Sequence, residues 1–194
     1  MVDAVNQAAR TFEGLGATVE EALPDLSDAA EVFRIRRAWQ FAVNLGPVVD
    51  SHPDQVKETI RWNVALGRSL SIDDLTRAIV LSEKLYQRVV EFFSGYDVLL
   101  VPAAQVLPFD GAIDYPTEIN GQPMPDYLEW MRACSDITAT GTPAISVPAG
   151  FSPQGLPVGV QMVAAPRADA HLLAIAKVFE QATGYAERRP PVTS

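Results

Sequence analysis

The chain has 194 residues, 48% of them hydrophobic and 20% charged, with 15 Lys and Arg against 24 Asp and Glu and a formal net charge of −9. One domain of this size buries enough surface to fold without staples, and the lone cysteine, Cys134, excludes an internal disulfide framework or a multi-cysteine metal cluster. The acidity disfavours binding to a phosphate backbone, no run of about 18 apolar residues is present to span a membrane, and Met1–Ala4 lacks the basic and apolar blocks of a signal peptide, so a cytoplasmic protein without nucleic-acid or membrane partners is expected.

Val2, Val5, Ala9, Phe12 and Leu15 recur at helical steps and predict a first helix ended by Gly14 and Gly16. Thr18–Leu23 reads as a short strand closed by Pro24. Ser27 is the expected N-cap of a second helix whose apolar stripe is Val32, Ile35, Trp39, Ala42 and Val43, and which Gly46-Pro47 should stop. A third helix is predicted from near Asp54 to Leu66, with Gly67 beyond its end. Ser71 followed three residues later by Asp74 resembles a capping box, opening a helix with Leu75, Ile79, Ser82, Leu85, Tyr86, Val89 and Phe93 on one face and Gly95 as its stop. The second half changes character. Tyr96–Pro102 is a continuous apolar run, as expected of a strand covered on both faces. Ala103–Pro125 is rich in Pro, Gly and Asp and reads as a long ordered loop, a kind usually functional. Pro125 to about Thr138 is a predicted helix carrying Tyr127, Leu128, Met131 and Cys134. Ala144–Pro148 and Leu156–Val163 are two strands whose short connection permits an antiparallel pair. Arg167–Ala182 is the last helix, with Leu172, Leu173, Ala176 and Phe179 inward, and Arg188-Arg189-Pro190-Pro191 is a frayed tail. The fold class is α/β: helices packed on a small mixed β-sheet of about four strands, in a single domain over 1–194. That sheet is thin for so many helices, which implies that it continues into a larger one.

A search for chemistry returns little. The two histidines, His52 and His171, have no ligand partners at metal-site spacing, so no metal is expected. There is no Gly-x-Ser-x-Gly elbow, and neither Cys134 nor Ser146 has a base at identifiable spacing. Asp110 and Asp114 lie in the long loop, where turn chemistry accounts for them. No Gly-rich phosphate loop follows a strand, and no cofactor is expected.

The run Gly141-Thr142-Pro143-Ala144-Ile145-Ser146-Val147-Pro148-Ala149-Gly150-Phe151-Ser152-Pro153-Gln154-Gly155-Leu156-Pro157-Val158-Gly159-Val160-Gln161-Met162-Val163 resembles the C-terminal signature of the amidase signature family. Tyr96–Pro102 is similar to that family's strand before the loop, and Leu172–Gly184 to its closing helix; Trp62-Asn63 and Tyr127–Met131 also match. The resemblance implies carboxamide hydrolysis by a Ser–cis-Ser–Lys triad, in which a neutral lysine acts as base through a bridging serine and backbone N–H groups hold the oxyanion. The Gly/Ser-rich segment that carries those groups has no counterpart here. Lys57, Lys84 and Lys177 are the only lysines, and none lies in a Gly/Ser-rich context.

The chain therefore resembles roughly the C-terminal two-fifths of a family member. No catalytic residue transfers to it. The resemblance offers Tyr127 and Trp130 as an apolar wall of the acyl pocket, with ordinary helix-to-sheet packing as the other reading, and puts Thr138, Thr140 and Gly141 in the turn where relatives carry Asn-Leu-x-Gly, with Thr138 standing in the Asn position. The expected partner is the catalytic N-terminal half of an amidase, with a homodimer also expected from an unpaired sheet edge. The rival reading is a free-standing, non-catalytic module that binds a small ligand or oligomerises.

Overall fold

The computed structural model describes residues 1–188 of the chain; Arg189-Pro190-Pro191 of the expected frayed tail lie outside the described residues. Six helices surround a small sheet. In order they are α1 (Val2–Gly14), α2 (Ala29–Ser51), α3 (Glu58–Ser69), α4 (Ile72–Phe92), β1 (Leu99–Pro102), β2 (Glu118–Ile119), β3 (Gln122–Pro123), α5 (Arg132–Thr140), β4 (Ala144–Phe151), β5 (Pro157–Val163) and α6 (Asp169–Thr183). Short 3-10 turns cover Pro53–Gln55, Glu129–Met131 and Tyr185–Glu187.

The main sheet has three strands in the order β1-β5-β4 and is antiparallel throughout, where about four mixed strands were expected. Alternation assigns each face. Leu100, Met162 and Ile145 share one face with Val160 and Val147, and α1 and α6 close over it. Phe12 of α1 stacks on Phe179 of α6 with ring centroids 5.4 Å apart, so the two helices lock to each other as well as to the strands. Leu99 and Val163 point the other way, into a second cluster with Ile137, Phe92 and Phe93. β1 is thus covered on both faces, as its unbroken apolar run requires. Further along that second face, at Ser146, Gly159 and Gln161, no described helix covers the strands completely, and Ala144, Ser146 and Pro148 are exposed.

Both outer strands carry a proline where the ladder can spare a donor. Ala164 N–H bonds to Pro143 O at 3.1 Å, which makes the odd residues of β4 the ones that bond to β5. Pro148 is even-numbered, so its missing N–H faces the free rim. Val160 is spent on β4, and its β1 partner Pro102 is likewise turned to the opposite rim. Prolines at these slots cost the sheet no internal hydrogen bond.

Several boundaries differ from the sequence expectation for local reasons. Thr18–Leu23 forms no strand: Thr18, Glu20, Glu21 and Leu23 are exposed and have no strand to pair with. Ser27 does not cap α2; its N–H bonds to Asp25 Oδ1 at 3.0 Å in a local turn, and Asp28 takes the N-cap position. α2 runs through Pro47 to Ser51. Only one turn remains after Pro47, and Val43, whose carbonyl loses its donor, lies on the exposed side. α3 starts at Glu58 and continues through Gly67 to Ser69. Gly67 is there for packing: a Cβ on it would lie 2.0 Å from the carbonyl oxygen of Ala38 and 2.8 Å from Ala42 Cβ. α3 presses directly on the backbone of α2.

The capping box of α4 is formed as read. Asp74 N–H donates to Ser71 Oγ at 3.1 Å, and Ser71 N–H donates to Asp74 Oδ2 at 2.8 Å. The buried face of α4 is narrower than its apolar pattern suggests. Leu85 and Val89 are buried, whereas Ile79 and Tyr86 are exposed. On α6, Leu172, Ala176 and Phe179 face inward but Leu173 is exposed. The predicted helix from Pro125 begins only as the turn Glu129–Met131 and becomes α5 at Arg132. The long loop contains the hairpin β2–β3 around Asn120 and Gly121, both with positive φ (51° and 77°), as a tight two-residue turn demands.

Candidate functional site

The loop after β1 folds back along the open sheet face and borders an open cleft of about 280 Å³. Its floor is Ser146 of β4 with Pro157, Val158 and Gly159 of β5. Its roof is Ala103, Ala104 and Val106–Phe109 of the loop, and Trp130 and Met1 close the sides. Phe109 meets Trp130 edge to face, centroids 5.5 Å apart, which ties the loop to the turn before α5. The walls are almost wholly apolar.

A second, polar neighbourhood holds the loop against α2 and α3. Arg37 donates from Nε and Nη2 to the Tyr127 hydroxyl at 3.2 and 3.0 Å. The Asn63 amide donates to the same hydroxyl and, at 2.7 Å, to Thr59 O. Arg37 also lies over the rings of Phe41, Phe33 and Tyr127, at 4.5, 5.7 and 5.7 Å. Next to it, Arg34 bonds Asp126 at 2.7 Å and Glu129 at 3.3 Å and sits 6.0 Å from Trp62. Asn63 is fully buried and its Oδ1 has no partner among the described residues.

The five residues singled out by resemblance therefore do not form one cluster. Trp130 lines the cleft. Tyr127 is three residues away in sequence but is turned into the Arg37–Asn63 knot. Thr138 is exposed on α5, its hydroxyl donating to Cys134 O at 2.9 Å. Thr140 is buried and donates to Ile137 O at 2.6 Å, while its hydroxyl shares a hydrogen bond with Thr142 at 2.7 Å. Gly141 ends α5 with φ 72°, a left-handed cap. These three shape the turn into β4. Sequence reasoning did not anticipate Arg37 or Asn63 in the knot, nor the roof residues Val106–Phe109. An arginine flanked by Phe33 and Phe41 on one helical stripe was the available signal.

No nucleophile–base arrangement occurs among the described residues. Lys57, Lys84 and Lys177 are exposed and none bonds to a serine or threonine hydroxyl. Ser51 Oγ lies 2.8 Å from His52 Nδ1, but that hydroxyl also donates to Pro47 O at 2.8 Å, so its proton is not directed at the ring. Burial raises the Cys134 thiol above its ordinary pKa, the opposite of what a thiolate nucleophile needs. Burial likewise raises Asp136, against the pull of Arg132 at 2.9 Å. No group of three or more metal-ligating side chains converges among the described residues. No described helix is long and apolar enough to cross a membrane.

Comparisons with known proteins agree on one family. The Amidase family model matches residues 1–173. The chain is 29% identical over 213 residues to a glutamyl-tRNA(Gln) amidotransferase subunit of Alkaliphilus metalliredigens, covering 97% of this chain and 42% of that protein. It is 28% identical over 181 residues to a fatty acid amide hydrolase of Medicago truncatula, covering 89% of this chain and 28% of that protein. A bacterial aryl acylamidase of the amidase signature family superposes with a TM-score of 0.82 at 23% identity, over 97% of this chain and 42% of that one. The chain thus spans less than half the length of the relatives it matches. With a family match over most of its length and the same fold as a solved member, this chain belongs to the amidase signature family.

Proposed function

We propose that this chain is the C-terminal part of an amidase signature hydrolase, which converts a carboxamide to a carboxylate with loss of ammonia or an amine. Its share of the work is packing and one wall of the substrate pocket. The carrying observation is the pairing of a family match over residues 1–173 with the absence, among the described residues, of any lysine next to a hydroxyl nucleophile. The apolar cleft under the loop supports the pocket role: Trp130 and Phe109 offer an apolar wall of the kind that holds an acyl group. The partner that supplies the chemistry is a polypeptide bearing the Ser–cis-Ser–Lys segment. Without it the chain hydrolyses nothing.

The test is ammonia release from a panel of simple amides, by the chain alone and after addition of a separately expressed catalytic half. Activity only on mixing is the expected result. Hydrolysis by the chain alone, lost on substitution of Ser146 or Cys134, would overturn the proposal. Self-association through the free rim of β4 is also expected of the isolated chain, since Ala144 and Ser146 present unpaired backbone donors there. A single monomeric mass by light scattering at micromolar concentration would refute it.

A further inference from the structure

The turn that brings Trp130 to the cleft is tied down by a helix that does not line it. Leu128 is buried and anchors the turn in the core. An apolar anchor fixes depth but leaves rotation free, because the hydrophobic effect has no direction. Direction comes from charge. Arg34 Nη2 of α2 donates to Asp126 Oδ2 at 2.7 Å and to Glu129 Oε1 at 3.3 Å. One nitrogen with two hydrogens thus holds two carboxylates on either side of Leu128. Asp126 also belongs to the turn itself. Its Oδ1 accepts the Leu128 N–H at 2.9 Å, and its carbonyl oxygen accepts the Glu129 N–H at 3.3 Å. All three side chains are half-buried, so solvent screens their attraction less than on an open surface. Trp130, next in the chain after Glu129, lines the cleft and meets Phe109 edge to face.

We infer that Arg34 is a positioning residue for this cleft: by holding Asp126 and Glu129 together, it sets the angle at which Trp130 stands against Phe109. The inference rests on the reading of the cleft as a pocket wall and adds the residue that fixes its width from behind. Without the guanidinium, the two carboxylates lose their shared cation and repel each other. The turn then relaxes by rotating about Leu128, and Trp130 moves with it. Arg37, one helical turn further along α2, still holds the Tyr127 hydroxyl. That is one point of attachment, about which the turn can pivot. An edge-to-face aromatic pair depends on the angle between its rings, so the Phe109 contact is lost early in such a rotation. The consequence reaches the cleft because Phe109 belongs to its roof and Trp130 to its side.

The experiment is fluorine NMR of the full chain labelled with 5-fluorotryptophan. The three resonances of Trp39, Trp62 and Trp130 are assigned by Trp→Phe substitution. In Arg34→Met the Trp130 resonance is expected to shift by several linewidths. Trp62 lies 6.0 Å from Arg34 and is expected to shift too, whereas Trp39, exposed on α2, is expected to stay. A purely stabilising role for Arg34 would lower the thermal midpoint and leave the folded Trp130 resonance where it is, and that result would overturn the inference. Movement of Trp39 as well would mark a global change and would also overturn it. If Arg34→Met does not fold, Asp126→Asn serves: it keeps the acceptor for the Leu128 N–H and turns an amide toward the guanidinium. The same Trp130 shift is expected there, and an unmoved resonance is the overturning result. These readouts report where Trp130 stands in the chain alone, whereas the amidase reading is tested by ammonia release on mixing. Failure of one is therefore distinguishable from failure of the other.

Discussion

Replacing Gly67 with alanine tests the most demanding contact in the fold. In an exposed helix the change would stabilise by about 1 kcal/mol, because alanine loses less backbone entropy. Here the added Cβ meets the Ala38 carbonyl oxygen at 2.0 Å, about 1.4 Å short of ordinary contact, and the carbonyl carbon at 2.6 Å. These are backbone atoms in the middle of α2, so no side chain can swing aside. The two helices must separate, and overpacking of this kind costs roughly 1–3 kcal/mol or more. With no local relief the upper end applies, and a net loss of about 2–3 kcal/mol is expected, which for a chain of this length lowers the melting temperature by about 5–10 °C. Separation also carries Trp62 and Asn63 away from Tyr127. Urea and thermal unfolding of Gly67→Ala are the measurements, with Gly14→Ala as control, since nothing lies within 4 Å of a Cβ there. If Gly67→Ala unfolds at or above the wild-type midpoint, the close crossing of α2 and α3 is wrong.

Three further outcomes are expected. Tyr127→Phe leaves the buried Asn63 amide and Arg37 without their shared acceptor and should cost about 1–3 kcal/mol in urea unfolding; a midpoint within error of wild type would refute the knot. Hydrogen bonds from Ser27, Arg68 and Ser71 hold the carboxyls of Asp25, Asp50 and Asp74 below the ordinary carboxylate value. The unfolded chain then binds more protons than the folded one as pH falls, so this stability is complete above the ordinary value, about pH 4, and is lost below it. Melting temperature should fall as the pH drops below about 4, less steeply in Asp50→Asn, and an identical slope in that variant would count against the assignment. Cys134 should react with a disulfide reagent at neutral pH far more slowly than a free model thiol, until denaturant is added; equal rates would show the thiol is not held by burial.

The parts of the fold that were legible in the sequence are those fixed locally. The capping box at Ser71 and Asp74, the apolar run of β1 and the inward residues of α6 other than Leu173 all depend on neighbours within a turn or two. The misread punctuation depended on distant groups. Gly67 stops nothing, because its purpose is a contact with Ala38, twenty-nine residues earlier. Pro47 ends no helix because α2 has only one turn left to lose. The strand at Thr18–Leu23 failed for want of a partner, which spacing does not reveal. Asn120-Gly121 was a legible hairpin signal that the Pro/Gly richness of its loop obscured. Of the candidate site, Trp130 lines the cleft, whereas Tyr127 is claimed by Arg37 and Asn63, partners on two other helices.

The prolines at the sheet rims set a limit on growth. A strand joining at β4 can bond to Ala144 and Ser146 but then meets Pro148, which has nothing to donate. The far rim offers Pro102 at the corresponding kind of slot. Addition of one strand is therefore short in register, and it leaves no equally good template on the other side. An isolated chain with these rims can pair with one partner, yet lacks the uninterrupted ladder from which fibrous stacking propagates.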